Sequence, residues 1–385
     1  MQREGVCFVG YGETAYIRPK GEDRSPLRYM AEAIRLALDN SGLQKKDIDG
    51  LALISTTHPD DSPFVAEQLG MELDWLLRAD FGGASAVISA RRAADAIQLG
   101  QIQVAVCVGA DVFRPVVPLM RAYPRVNYIE PFGYGGPNSL FALTQRRHMA
   151  MYGTTREQLG KIAVSVRRNA ELNEHALFRT PMKMEEYLNA RVVSDPVRLY
   201  DCVMPCSGAA AFVMTSESKA KQITNNPIYL VSDGEKSNYR VEDINTDWTV
   251  TGLRGISKEL FTRVRHKEID FVEIYDDYPI AILMQLEDLG FCPKGDGGKF
   301  VDSHDLTVEG DFPVNTGGGQ LSGGQPGFAG GHLHVVEALR QLKGEAGTHQ
   351  VKGARTGLVT GIGLLGYNVN LCSWSAMILQ GDRAW

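Results

Sequence analysis

The heptapeptide Phe81-Gly82-Gly83-Ala84-Ser85-Ala86-Val87 joins an apolar run to a long alanine-rich helical pattern. A strand that ends in a sharp glycine turn and opens a helix leaves the first helical N–H groups unpaired, aimed at whatever stands at the turn. Such a turn suits a nucleophile or an anion. This one holds Gly82, Gly83, Ala84 and Ser85, with no cysteine and no histidine. The following stretch puts Ala86, Ala90, Ala93, Ala94 and Ile97 on one stripe and stops at Gly100, which predicts a buried helix.

Upstream, "GVCFVGYGET" (5–14) reads as a strand entering a glycine loop, and "PLRYMAEAIRLALDNSGL" (26–43) as a helix stopped by Gly42. "IDGLALIST" (48–56) and "VAVCVGAD" (104–111) read as strands buried on both faces. Residues from about 113 to 195 break this rhythm. They open with an aperiodic run rich in proline, glycine and aromatics, the composition of a cover or a subunit contact, and continue into two helical patterns. From "CSGAAAFVMTS" (206–216) the plan resumes and then repeats. "FVEIYDDYP" (271–279) is a strand ending in polar residues, "NTGGGQLSGGQPGFAGG" (315–331) a glycine loop feeding a helix, and "TGLVTGIGLLGYN" and "LCSWSAMIL" are closing strands. Strands alternating with helices in two similar halves predict a duplicated α/β fold, with a boundary near 220 between an N-terminal half (1–220, carrying the 113–195 cover) and a C-terminal half (221–385).

The chain has 385 residues, 44% of them hydrophobic, enough for a large core. A net charge of −6 argues against nucleic-acid or anionic-membrane partners. Absence of a long apolar run predicts no membrane span, and the scattered cysteines (six in all) read as reduced thiols of a cytoplasmic protein. Cys202 and Cys206 are spaced CxxxC with no second ligand pair, so no metal is expected.

The order and spacing of "IDGLALIST", the glycine turn with its helix, "VAVCVGAD", "SGAAAFVMTS", "EIYDDYP", "NTGGGQLSGGQPG" and "LVTGIGLLG" resemble the thiolase superfamily over essentially the whole chain. Within it, "LEDLGFCPKGDGGKFV" (286–301) and "LRQLKGEAGTHQVKGAR" (339–355) are similar to the sterol-carrier-type branch, and to thiolase-like subunits that pair with a small zinc-ribbon/OB-fold acyl-CoA-binding protein. The resemblance implies a five-layered αβαβα fold with a loop domain inserted in the first half. It further implies a homodimer, a heterotetramer with the small partner, and coenzyme A as substrate rather than as a resident cofactor.

Thiolases carry a nucleophilic cysteine, an Asn or His, a GHP histidine and a second cysteine on four loops. By the resemblance these positions fall on Gly83, Tyr275, Gln325 and a site near Thr360, so all four groups are replaced while their loops remain. Gly83 attacks nothing but lets a substrate approach the backbone. Tyr275 is the main catalytic candidate: a phenol, with an ordinary pKa of about 10, donates a hydrogen bond to an oxyanion. Asp277, Gln325, His332 and Ser85 are weaker catalytic candidates. Ser85 reads more naturally as a helix cap, and His332 equally as a helix-face histidine. Gly83, Asn315, Gly317, Gly318, Gly319 and Gly363 are expected to face CoA through backbone N–H groups, and Arg121 and Arg125 to meet its phosphates.

The expected function is a thiolase-type acyl-CoA C-acyltransferase that makes or cleaves the bond between the α and β carbons of a bulky, aromatic-compatible β-ketoacyl-CoA without the usual cysteine nucleophile. A retro-aldolase acting on a β-hydroxyacyl-CoA, as in steroid side-chain cleavage, is the second reading. A non-catalytic acyl-CoA-binding protein is the third.

Overall fold

A computed structural model describes residues 5–19, 24–58, 60–113, 130–134, 136–240, 247–365 and 371–381. Arg121 and Arg125 lie outside the described residues. The strands are β1 (Val6–Glu13), β2 (Gly50–Ile54), β3 (Trp75–Arg78), β4 (Val104–Asp111), β5 (Val192–Ser194), β6 (Val197–Arg198), β7 (Gly208–Ser216), β8 (Ile228–Ser237), β9 (Phe271–Glu273), β10 (Thr356–Leu365) and β11 (Leu371–Gln380).

Nine strands form one sheet in the order β3-β2-β4-β7-β1-β8-β11-β10-β9, while β5 and β6 pair separately. The two halves meet where β1 touches β8 over only Cys7↔Tyr229 and Phe8↔Ile228. Read outward from that joint, β1-β7-β4-β2 and β8-β11-β10-β9 repeat the same plan. Each has two antiparallel pairings and then a parallel one. This is the duplication expected from the sequence. The expected boundary near 220 falls inside the short helix Glu217–Ile223.

Alternation along the strands builds the layers, because successive side chains leave opposite faces. In β1, Val6 and Phe8 join a central cluster, while Cys7 and Val9 join an outer one under the helix Pro26–Ser41. In β11, Met377 and Leu379 face the same central cluster, while Ala376 and Ile378 face the opposite outer core with the helix Pro279–Leu289. The central cluster also holds Ala86, Ala90, Ala93 and Ile97 of the helix Ser85–Gln98, and Val335, Ala338 and Leu339 of the helix Gly330–Lys343. These two helices form the middle layer, covered on both sides by sheet, and the alanine stripe permits their close approach.

Local signals set the ends. Ser25 caps the helix Pro26–Ser41 by accepting from Arg28 N, with Pro26 in its first turn and Gly42 left-handed at its end. Between β4 and β7, the described part of the inserted region contributes the helices Pro137–Tyr152, Arg156–Leu172 and Met184–Asn189, lying over the second half.

Candidate active site

The first glycine turn is held backbone against backbone. Gly82 has φ 59°, and a Cβ added there would stand 2.8 Å from Gly363 Cα; Gly363 in turn packs on Phe81 O. Gly363 thus closes the turn from the end of β10. A Cβ added to Gly83 would stand 2.1 Å from the Tyr275 hydroxyl. The phenol therefore fills the space that any side chain at position 83 would need.

Tyr275 is held by a ring of hydrogen bonds. Its N–H donates to Thr360 Oγ1 (2.9 Å), the Thr360 hydroxyl donates to Gln285 Oε1 (2.7 Å), and Gln285 Nε2 donates back to Tyr275 O (2.8 Å). One residue earlier, Asn315, left-handed at φ 51°, accepts from Ile274 N (2.7 Å) and donates to Ile274 O (2.9 Å). Two buried side chains thus continue the strand pairing that β9 gives up after Glu273. The hydroxyl of Tyr275 meets the amides of Gln325 and Gln320. Burial, and then the charge of Asp277, push its pKa well above the ordinary phenol value, so it stays protonated. An oxygen that accepts from amides keeps its own proton for a developing oxyanion.

Asp277 accepts from Gln325 Nε2 at 2.8 Å. Burial, and then the neighbouring Asp276, raise its pKa to about 7, against a smaller opposing pull from His334. A carboxylate so tuned exchanges protons near neutrality. Asp276 is fully buried and accepts from Gln320 N (2.8 Å) and Leu321 N (3.2 Å), with His334 Nε2 at 3.1 Å.

The remaining sequence candidates divide. Gln325, Asp277 and Tyr275 come together with Gly83. Gly317, Gly318 and Gly319 are buried, and the donors just after them turn inward to Asp276, an internal carboxylate, instead of outward to a thioester. Asn315 is likewise spent on Ile274. Ser85 is fully buried, with its hydroxyl donating to Ala79 O and accepting from Phe81 N (3.1 Å). It ties the turn together instead of presenting an attacking oxygen. His332 needs correction too: its ring stacks on Phe212 (5.7 Å) beside Gly109 in the central layer. Burial drives its pKa down to about 3, which keeps it a neutral core residue.

Sequence reading missed Gln285, Gln320, Asp276 and His334. The available signal was a glutamine inside the otherwise apolar "AILMQL" of a buried helix, and a histidine on the inner face of "HLHVVEAL".

Beside the site lies a cleft of about 400 Å³ walled by Phe178, Met182, Tyr200, Met204 and Leu321, with Arg167 at its side. Met204 O accepts from Gln325 N (2.9 Å), so the cleft adjoins the Tyr275 cluster directly. Among the described residues no cluster of three or more His, Cys, Asp or Glu side chains could hold a metal ion, and no helix is long and apolar enough to cross a membrane.

The chain is similar to known proteins over most of its length. Residues 234–372 match the family model of the thiolase C-terminal domain-like fold. The chain is 31% identical to an acetyl-CoA acetyltransferase of Methanothermobacter thermautotrophicus, covering 93% of this chain and 96% of the relative. It is 30% identical to a 17-hydroxy-3-oxo-4-pregnene-20-carboxyl-CoA lyase of Mycobacterium tuberculosis, covering 92% and 95%. It superimposes on a solved Ltp2-ChsH2(DUF35) aldolase with a TM-score of 0.87 at 28% identity over 100% of both chains. The chain belongs to the thiolase superfamily, in its sterol-carrier-type thiolase-like branch.

Proposed function

We propose that this protein cleaves and forms the bond between the α and β carbons of an acyl-CoA without covalent capture of the acyl group, with retro-aldol cleavage of a β-hydroxyacyl-CoA as the chemistry its site suits best. The observation that carries this is the Tyr275 phenol standing where a nucleophile on residue 83 would have to be. Asp277 takes the proton of the β-hydroxyl, and that oxygen's electrons form the carbonyl of a released aldehyde or ketone. The α–β bond breaks, and its electron pair passes to the thioester as an enolate. Tyr275, backed by Gln320 and Gln325, donates to the enolate oxygen. Protonation of the α carbon completes a balanced reaction that needs no further reactant. The adjoining cleft receives a bulky, largely apolar acyl group.

Thiolysis in a ternary complex is the second reading, favoured by the acetyltransferase relative. There Asp277 takes the proton of CoA's thiol as the sulfur attacks the β-keto carbon, and the same donors stabilise the enolate. In both, CoA is a substrate. The aldolase relative is named for two proteins together. That supports a small zinc-ribbon/OB-fold acyl-CoA-binding subunit as partner, joining a homodimer of this chain in a heterotetramer.

The test gives the purified chain and its co-purified partner a β-hydroxyacyl-CoA and, separately, two acyl-CoAs. Aldehyde or ketone release identifies the aldolase, and β-ketoacyl-CoA formation the thiolase. Silence in both, with tight acyl-CoA binding, overturns the enzymatic reading. A monomer in light scattering overturns the assembly.

A further inference from the structure

Behind Tyr275 and Asp277 runs a string of buried ionisable groups that the reaction does not touch. Glu273, His334 and Asp276 are each 0% exposed. His334 Nδ1 lies 3.2 Å from Glu273 Oε2, and its Nε2 3.1 Å from Asp276 Oδ1. Beyond Glu273, the hydroxyl of Thr316 sits 2.7 Å from Glu273 Oε1 and 2.8 Å from Glu337 Oε1. One hydroxyl proton cannot serve two ionised carboxylates. Arg340 and His349 hold Glu337 down at about 2 against its burial, so Glu337 is the charged member. Burial pushes Glu273 up, against the opposing pull of His334 beside it. Glu273 Oε1 also accepts from Thr316 N (2.8 Å), and His334 stands between two carboxyl groups, Glu273 on one side and Asp276 on the other. With a carboxyl oxygen within reach of each ring nitrogen, His334 donates from both as an imidazolium.

We propose that His334 and Asp276 form a fixed, oppositely charged pair that positions the Gln320–Leu321 turn beside Tyr275 and governs the proton exchange of Asp277. The pair reaches the site in two ways. Asp276 gathers the N–H groups of Gln320 and Leu321, which places the Gln320 amide on the Tyr275 hydroxyl and leaves Leu321 in the wall of the cleft. Asp276 is also the residue next to Asp277 in the chain. The titratable groups that face Asp277 are Asp276, His334 and the phenols of Tyr275 and Tyr278. Among the described residues no lysine or arginine side chain forms an ion pair with it. With both tyrosines neutral, Asp276 and His334 are the charged side chains that act on Asp277 among the described residues. His334 and Asp276 are positioning residues; neither meets substrate.

The inference rests on Asp277 as the proton acceptor of the proposed reaction, and opposite shifts in two variants test it. Asp276→Asn removes a negative charge while keeping one of the two oxygens that hold the Gln320 and Leu321 N–H groups. His334→Gln removes a positive charge while keeping a donor. The pH profile of turnover in the native chain with its partner should lose activity on the acid side as Asp277 protonates. That limb should move about one unit to lower pH in Asp276→Asn and about one unit to higher pH in His334→Gln, the scale of a charge removed at close range. A carbon-13 carboxyl titration, with the Asp277 resonance assigned by its loss in Asp277→Asn, reads the same shifts without any substrate. Shifts in opposite directions support the inference. A limb and a resonance that stay in place, or move the same way in both variants, overturn it even if Asp277→Asn is inactive. If Asp277→Asn keeps the native acid limb, the base assignment itself falls, and the titration alone then decides whether the pair governs Asp277. Should His334→Gln not fold, an Asp276→Asn titration at the native position is sufficient to overturn the proposal.

Discussion

A Cβ on Gly83 and the hydroxyl of Tyr275 cannot coexist: they would stand 2.1 Å apart, inside any van der Waals contact. The absence of a nucleophile at the first glycine turn and the presence of a phenol in the facing loop are one structural choice. Side chains on both loops would compete for a single volume.

Gly83→Ala should therefore destabilise the fold by roughly 1–3 kcal/mol, the usual cost of forcing atoms into a packed site. The cost should largely disappear in a Tyr275→Ala background. Urea unfolding of the two single variants and the double variant measures the coupling, and additive effects would contradict the shared volume. Gly83→Cys alone should gain no acyl-enzyme chemistry, which intact-mass spectrometry after incubation with acyl-CoA checks.

Removing only the phenolic oxygen separates chemistry from packing. Tyr275→Phe keeps the ring and should lower turnover by about a hundredfold, on the scale of losing one oxyanion donor. Stability should fall less, by about 1 kcal/mol, as the amides of Gln320 and Gln325 lose a partner. Steady-state kinetics beside a thermal melt reads both.

Ser85 predicts the reverse pattern. Its hydroxyl is bonded within the turn to Ala79 O and Phe81 N. Ser85→Ala should cost about 1 kcal/mol of stability while turnover stays within a few-fold, because Ala79 O loses the hydroxyl donor and the Phe81 N–H keeps only Ala79 O as acceptor. Abolished turnover in a fully folded variant would restore Ser85 as a catalytic group.

Stability should depend on pH through His334. Burial alone would depress its pKa, but the hydrogen-bonded carboxylates of Asp276 and Glu273 overcome this and raise it to about 9, above the unfolded value of about 6.5. A raised cationic group binds more protons folded than unfolded across that interval, so its contribution is complete below pH 6.5 and lost as pH climbs to 9. Melting temperature should fall across this window, and the slope should flatten in His334→Gln.

Asp111 should prove a joint between the halves. At the end of β4 it accepts from Thr56 N (2.8 Å) and Thr57 N (2.9 Å) and, across the molecule, from Phe328 N (3.0 Å) ahead of the helix Gly330–Lys343. Asp111→Ala strands several buried donors at once and should cost about 3 kcal/mol or more, measured by urea unfolding; Asp111→Asn should cost less.

The layers were legible because they rest on local periodicity. The alanine stripe of 85–98, the two-residue alternation of β1 and β11, and the Gly42 and Gly100 stops each act within a few residues. The two glycine turns could likewise be read by position, and the resemblance implied which of their residues stand where thiolases carry their four chemical groups. Tyr275, Asp277 and Gln325 could be named as candidates because they sit on recognisable loops, but nothing local tells which way a loop's donors point. Hence the glycine loop 315–319 was expected to face a ligand, whereas its following N–H groups turn to Asp276, and His332 was chosen over His334.

The sequence by itself determined the duplicated α/β architecture, since it follows from residue type at spacings the backbone geometry fixes, while the resemblance implied that Gly83 stands at the nucleophile's position. Only the tertiary structure decided that Tyr275 occupies the room above Gly83, that Thr360 and Gln285 hold it there, and that His334 is charged while His332 is neutral. Those facts depend on partners tens to hundreds of residues away, and a side chain's ionisation and reach are set by the burial and charges that only folding assembles around it.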